Sequence, residues 1–171
     1  MNIFDFLIFF SCIILYGFIF ISVLKFGQLP SYSAYSTKWI ERYPNWKVKI
    51  WYAITLIAAF LIIPSMIQAG VGNKLQFLGF FAPAYLIGVA HTPNWETDAS
   101  EHKLHMIFAV LCAVAGICWS IFVAHTWCIL LFNIIIVLIA SLLSKTFKDS
   151  KVFWGELIAF NTVYMSLAMI F

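Results

Sequence analysis

The sequence predicts an all-helical, polytopic membrane bundle of six transmembrane helices, and three observations carry that expectation. Long uncharged apolar runs fill most of the 171 residues, and the charges gather in the gaps between them. Hydrophobic residues make up 64% of the chain and charged ones only 10%, whereas soluble domains hold about 45–50% apolar and about 25% charged residues. The runs are continuously apolar rather than alternating, which excludes the strands of a membrane barrel.

A membrane-spanning helix needs about 20 mostly apolar residues. The first run is Ile3–Leu24. It has no basic residue before it and is longer than a signal-peptide core, so it reads as a retained span rather than a leader. The second is Ile50–Gln68, with Pro64 near its end; the third, Leu75–Ala90, is short and holds Pro83. The fourth, Leu104–Ala124, and the fifth, Trp127–Leu143, are separated only by His125 and Thr126, which predicts a tight hairpin of neighbouring antiparallel helices. The sixth is Val152–Phe171. Residues 1–171 thus form a single integral membrane domain. The aromatic and basic segment from Pro30 to Pro44 is expected to lie on the membrane surface as a short helix or a loop.

Orientation follows from the basic residues. Lys25, Lys38, Arg42, Lys47, Lys49, Lys103, Lys145, Lys148 and Lys151 fall on one side of the predicted bundle, and only Lys74 falls on the other. Cytoplasmic loops are enriched in Lys and Arg, so the nine belong in the cytoplasm and both termini outside, as in a multi-pass protein of the bacterial inner membrane. The net charge of +3 is then a topology signal, and no nucleic-acid partner is expected. Trp39, Trp46, Trp51, Trp95, Trp127 and Trp154 lie near span ends, as in an aromatic belt. Cys12, Cys112, Cys118 and Cys128 lack zinc-knuckle spacing and read as small hydrophobes.

Candidate chemistry concentrates between His91 and His105, which holds six of the eleven acidic and imidazole side chains. At 100° per residue His102, His105, Ala109, Ala113, Gly116 and Ser120 fall on one stripe of a helix starting near Ser100. Small residues on a stripe mark close helix approach, so the imidazoles would face the bundle at its cytoplasmic mouth, with His91 opposite. His91, His102 and His105 are candidate ligands of a zinc-type metal, with Asp98 and Glu101 as binding carboxylates. A plain interfacial loop, with Ser100 capping the helix and Glu101 at its positive end, explains the same residues. Glu156, one turn inside the last run, is either a functional intramembrane carboxylate or a side chain reaching the interface past Lys151. Ser31 and Ser33 are candidate lipid-headgroup contacts, or parts of a turn after Pro30.

The string Leu29-Pro30-Ser31-Tyr32-Ser33-Ala34-Tyr35, followed by a Trp-rich basic stretch and a second span, resembles small multi-span membrane proteins of gut bacteria and their phages. The resemblance covers most of residues 29–120 and implies no particular activity. The chain is also faintly similar to membrane hydrolases of the ceramidase and adiponectin-receptor kind, which set Ser, Asp and three His around zinc at the cytoplasmic side. It departs from them in having six spans and no His in the last. Three functions remain open: a binding or transport protein whose polar cytoplasmic crevice takes a cation, a proton or a lipid headgroup; a metal-dependent lipid hydrolase, with Asp98 or Glu101 taking a proton from zinc-bound water; and a structural subunit of a membrane assembly. Membrane lipids are the expected partners, with a second copy or another membrane protein as a further one.

Overall fold

The computed structural model describes residues 2–43, 48–92, 94–143 and 150–171, and among them the only regular structure is helical. Helix α1 (Ile3–Phe26) starts in a capping box. The Asp5 amide donates to Asn2 Oδ1, and the Asn2 amide donates to Asp5 Oδ2, both at 2.8 Å. It stops at Gly27, whose φ of +74° suits a residue without a Cβ, and the Gly27 amide donates to the Val23 carbonyl. Helix α2 (Ala34–Arg42) is the short helix expected of the basic segment. It buries Ala34, Tyr35, Ser36 and Trp39 and leaves Lys38, Glu41 and Arg42 exposed. Trp39 Nε1 donates to Ser22 Oγ at 2.8 Å, which fastens α2 to the end of α1.

Helix α3 (Val48–Ala69) leads through a turn to α4 (Leu78–Ala90), then come α5 (Ala99–Phe122), α6 (Trp127–Leu143) and α7 (Lys151–Ile170). Four helical segments are long and apolar enough to cross a membrane: Ile3–Phe26, Ile50–Ala69, Ala99–Phe122 and Lys151–Ile170. The third and fifth predicted spans are shorter helices of 13 and 17 residues. The third shortens because residues 70–77 fold into successive turns, with Gly72 at φ +86°.

Packing runs α1 to α3, α3 to α4, α4 to α5 and α5 to α7, and α7 also meets α1 and α3. These five helices close a ring. Helix α6 stands outside it and leans on α7 far more than on α5, although the tight turn before it does form, with His125 at φ +56°. Polar contacts explain the choice of neighbour. Asn133 Nδ2 donates to Thr162 Oγ1 at 3.2 Å, and the Thr126 and Ser166 hydroxyls lie 2.5 Å apart; polar side chains act as glue between apolar helices.

Close helix approach depends on missing side chains. A Cβ on Gly79 would lie 2.9 Å from the Met66 backbone, and one on Gly88 would lie 2.7 Å from the Phe108 ring. The last carbonyls of α3 have no partner within the helix. Trp119 Nε1 donates to Met66 O at 3.3 Å and Gln76 Nε2 to Ile67 O at 3.0 Å, so α5 and the turn after α3 complete that helix end.

Outward faces are apolar: Phe20, Leu24, Phe60, Val110 and Met169 are each more than half exposed. Contiguous apolar surface of this kind marks a membrane or protein interface. Both ends of the chain meet, since the Phe4 and Phe171 rings stack at 5.3 Å. The opposite end of the bundle carries α2, the start of α5 and the start of α7, where the Phe153 amide donates to Pro30 O at 2.8 Å. Lys25, Lys38, Arg42, Lys103 and Lys151 belong to that end and Lys74 to the other; Lys47, Lys145 and Lys148, and Trp46 of the expected belt, lie outside the described residues. Trp39 and Trp51 are buried packing residues rather than parts of a belt. The cysteines are all free; Cys128 is exposed and the other three are half-buried.

Candidate functional site

The segment from His91 to His105 closes on itself. Asp98, not Ser100, caps α5: its Oδ1 accepts from the Ser100 amide at 2.8 Å, the Ser100 hydroxyl at 2.7 Å and the Glu101 amide at 3.1 Å. The extended Asp98 backbone aims the carboxylate at those amides, and the Ser100 hydroxyl, then the two amides, hold its pKa below the usual carboxylate value. Glu101 reaches back to the Asn94 amide at 2.9 Å and side chain at 3.3 Å.

Each imidazole has its own partners. His91 Nδ1 meets Ile87 O at 2.8 Å and Nε2 meets the Tyr52 hydroxyl at 2.9 Å. A carbonyl only accepts, so Nδ1 carries the proton and Nε2 takes the Tyr52 hydrogen. His105 is buried, with Nδ1 2.8 Å from Thr92 Oγ1. That hydroxyl donates its one hydrogen to Val89 O, so His105 Nδ1 is again the donor. His102 is exposed, with Nδ1 3.2 Å from Trp95 O, and the Trp95 ring stacks on His105 at 4.7 Å and His102 at 5.7 Å. Among the described residues no group of three His, Cys, Asp or Glu is placed to hold a metal ion.

A pocket lies elsewhere, at the centre of the five-helix ring. A cavity of about 80 Å³ is walled by apolar residues of α1, α3, α4, α5 and α7, including Ala109, Ala113 and Gly116 of the expected small-residue stripe. A single water needs roughly 10–15 Å³ on the same measure, so several waters or a stretch of alkyl chain fit. Glu156 and Tyr164 both line it; eight residues of helix separate them, so the cavity runs for about 12 Å along the bundle.

One end is polar, and it is built by the strap between α1 and α2. The Tyr32 amide donates to Glu156 Oε2 at 2.6 Å, and the buried Tyr32 hydroxyl lies 2.9 Å from Thr55 Oγ1. Burial pushes the Tyr32 phenol pKa up, against the Thr55 hydrogen bond, and the Glu156 charge adds to the rise. Ser33 is 1% exposed, lines the cavity, and has no hydrogen-bond partner for its Oγ among the described residues. Ser31 is spent differently, its Oγ accepting from the Ala34 amide at 3.1 Å to start α2. Glu156 Oε1 accepts no hydrogen bond among the described residues, and no Lys, Arg or His lines the space.

The wall is uneven. Lining residues from α1, α3, α4 and the strap are buried, whereas those keeping partial exposure (Ala109, Cys112, Ala113, Glu156, Phe160 and Val163) all belong to α5 or α7. Residual exposure of the wall is thus confined to the two neighbouring helices α5 and α7.

Of the expected site residues, Glu156 and Ser33 line one cavity, whereas Ser31, Asp98, Glu101, His91, His102 and His105 are hydrogen-bonded to residues outside it. Tyr32 and Cys112 were not foreseen. Tyr32 sits inside the Ser-Tyr-Ser-Ala-Tyr string, where its amide, the group that meets Glu156, leaves no trace in composition. The molecule is an apolar helical bundle with an internal pocket. No family model, curated protein or solved structure matches the chain.

Proposed function

We propose that this chain is an integral membrane protein that binds an amphiphile in its central cavity, admitting it sideways from the bilayer between α5 and α7. All six apolar helices cross the membrane in this reading, with α4 and α6 lying where the bilayer is thinned or the turns sink into it. The lysine-rich end, with α2 on it, faces the cytoplasm, both termini face outward, and the protein resides in the bacterial inner membrane. The carrying observation is the uneven wall: apolar lining, one polar end, and residual exposure confined to two helices. Ligand sites of this kind join a mostly apolar lining to a few polar groups that fix orientation.

The membrane placement is tested by thiol labelling in intact cells, on a cysteine-free background with single cysteines at positions 42 and 74. A membrane-impermeant reagent should reach position 74 and spare position 42; the reverse pattern contradicts the orientation. Binding is tested by native mass spectrometry of protein purified in a mild maltoside detergent. Bound amphiphile should accompany the wild type and be absent from Ala113→Phe, whose ring fills the cavity. Equal retention by a folded Ala113→Phe protein would count against the site.

A further inference from the structure

We infer that the cavity selects a single-chain amphiphile with a primary ammonium head, an inference that rests on the sideways-open binding site proposed above. Glu156 Oε2 is engaged by the Tyr32 amide, while Oε1 accepts nothing among the described residues. Ser33 Oγ, fully enclosed and lining the same cavity, is also without a partner there. Buried polar groups in native structures are nearly always paired, so the enclosed Ser33 hydroxyl, lining the same cavity as a carboxylate oxygen that accepts nothing among the described residues, points to a ligand that supplies what they lack.

The missing partner is a donor. A cation at this point holds Glu156 ionised, and an ionised carboxylate only accepts, as a hydroxyl can. An ammonium brings three N–H donors and the positive charge that a carboxylate with no Lys, Arg or His beside it in the cavity lacks. An anionic head, whether carboxylate or phosphate, would meet Glu156 as a like charge with no cation in the wall to offset it. A bare metal cation fits poorly, because Ca²⁺ takes about 6–8 oxygen ligands and the head of the cavity offers two side chains with oxygen free. A neutral alcohol can donate one hydrogen bond but leaves the charge uncompensated.

The rest of the pocket sets the tail. Beyond Glu156 and Ser33 the wall is Leu15, Ala58, Ile62, Leu86 and their like as far as Met66 and Tyr164. A depth of about 12 Å along the helices suits one chain of roughly eight to ten carbons. A volume of about 80 Å³ suits one chain rather than two.

Decylammonium, decanol and decanoate make the test, each added below its micelle concentration to delipidated wild-type protein in maltoside detergent and counted by native mass spectrometry. Decylammonium should bind at least about tenfold more tightly than decanoate, with decanol between them. Glu156→Gln should remove that preference, bringing decylammonium down to the decanol level while decanol binding holds. Decanoate binding as well as decylammonium, or an unchanged preference in Glu156→Gln, would overturn the ammonium inference and leave the binding site standing. If none of the three binds wild type, the site itself is wrong and the inference goes with it.

Discussion

Asp98 is the clearest single residue whose chemistry can be followed into stability. Its carboxylate accepts from the Ser100 hydroxyl and from the Ser100 and Glu101 amides, and these bonds lower its pKa in the folded chain. The cap's contribution is therefore fully present above the unfolded-chain pKa and lost as pH falls through the lower folded value. Amide hydrogen exchange at Ser100 and Glu101 should accelerate, beyond the change in intrinsic rate, as the solution is acidified through the carboxylate range. Asp98→Asn keeps an acceptor but cannot titrate, so its protection should stay flat with pH; a matching pH response in that variant would show that another group controls the helix end. At this scale the sequence was legible as to residue type but not as to pairing. The His91–His105 segment was visible as a dense polar cluster, yet which imidazole meets which oxygen depends on the path of six residues of loop. Glu156 was visible as an ionisable group in an apolar run, but its partner is a backbone amide 124 residues away, and every residue but proline carries one.

Helices were legible because their signals are local. All six apolar runs became helices, the fourth starting five residues earlier than expected and the third three residues later, and the basic segment became α2. The third run lost Leu75, Gln76 and Phe77 to the turns that begin at Gly70, where Gly70, Gly72 and Asn73 favour turn over helix. Neighbour choice was less legible: the short hairpin suggested α5 beside α6, but the Asn133–Thr162 hydrogen bond and the Thr126–Ser166 hydroxyl contact draw α6 to α7. Contact between α3 and α4 rests on Gly79, where even one carbon would touch the Met66 backbone at 2.9 Å. Backbone cannot step aside as a flexible side chain can, so Gly79→Ala should force the two helices apart and cost about 1–3 kcal/mol, as overpacking does. Thermal unfolding in detergent should register the loss. The same substitution at Gly17, where an added Cβ meets nothing within 4 Å, should leave the unfolding temperature nearly unchanged. Equal effects at both sites would show that the close approach does not hold the helices.

Across the whole molecule, the class was the easiest thing to read and the cavity the hardest. A 64% hydrophobic chain with charges confined to the gaps requires an apolar surround whatever its fold, and the exposed faces of α1, α5 and α6 match that requirement. A cavity leaves no such mark, because it is made where small residues of α3, α4 and α5 fail to fill a ring closed by α7. The stripe of Ala109, Ala113 and Gly116 was read as a face for close helix approach; Gly116 does meet Val163, but the two alanines border open space. The polar end then depends on the strap folding back from α1 onto α7, a contact between residues far apart in the chain. The account consequently turns on one geometric claim, that the gap between α5 and α7 admits a lipid-like chain from the bilayer. The most direct measurement is photo-cross-linking in reconstituted vesicles with a phospholipid carrying a diazirine on its acyl chain, followed by peptide mapping. The account predicts adducts on the inward residues Ala109, Cys112 and Phe160 as well as on the outward faces of the helices, with the inward adducts suppressed by Ala113→Phe. Adducts on the outward faces alone, with those three residues untouched in the wild type, would contradict it.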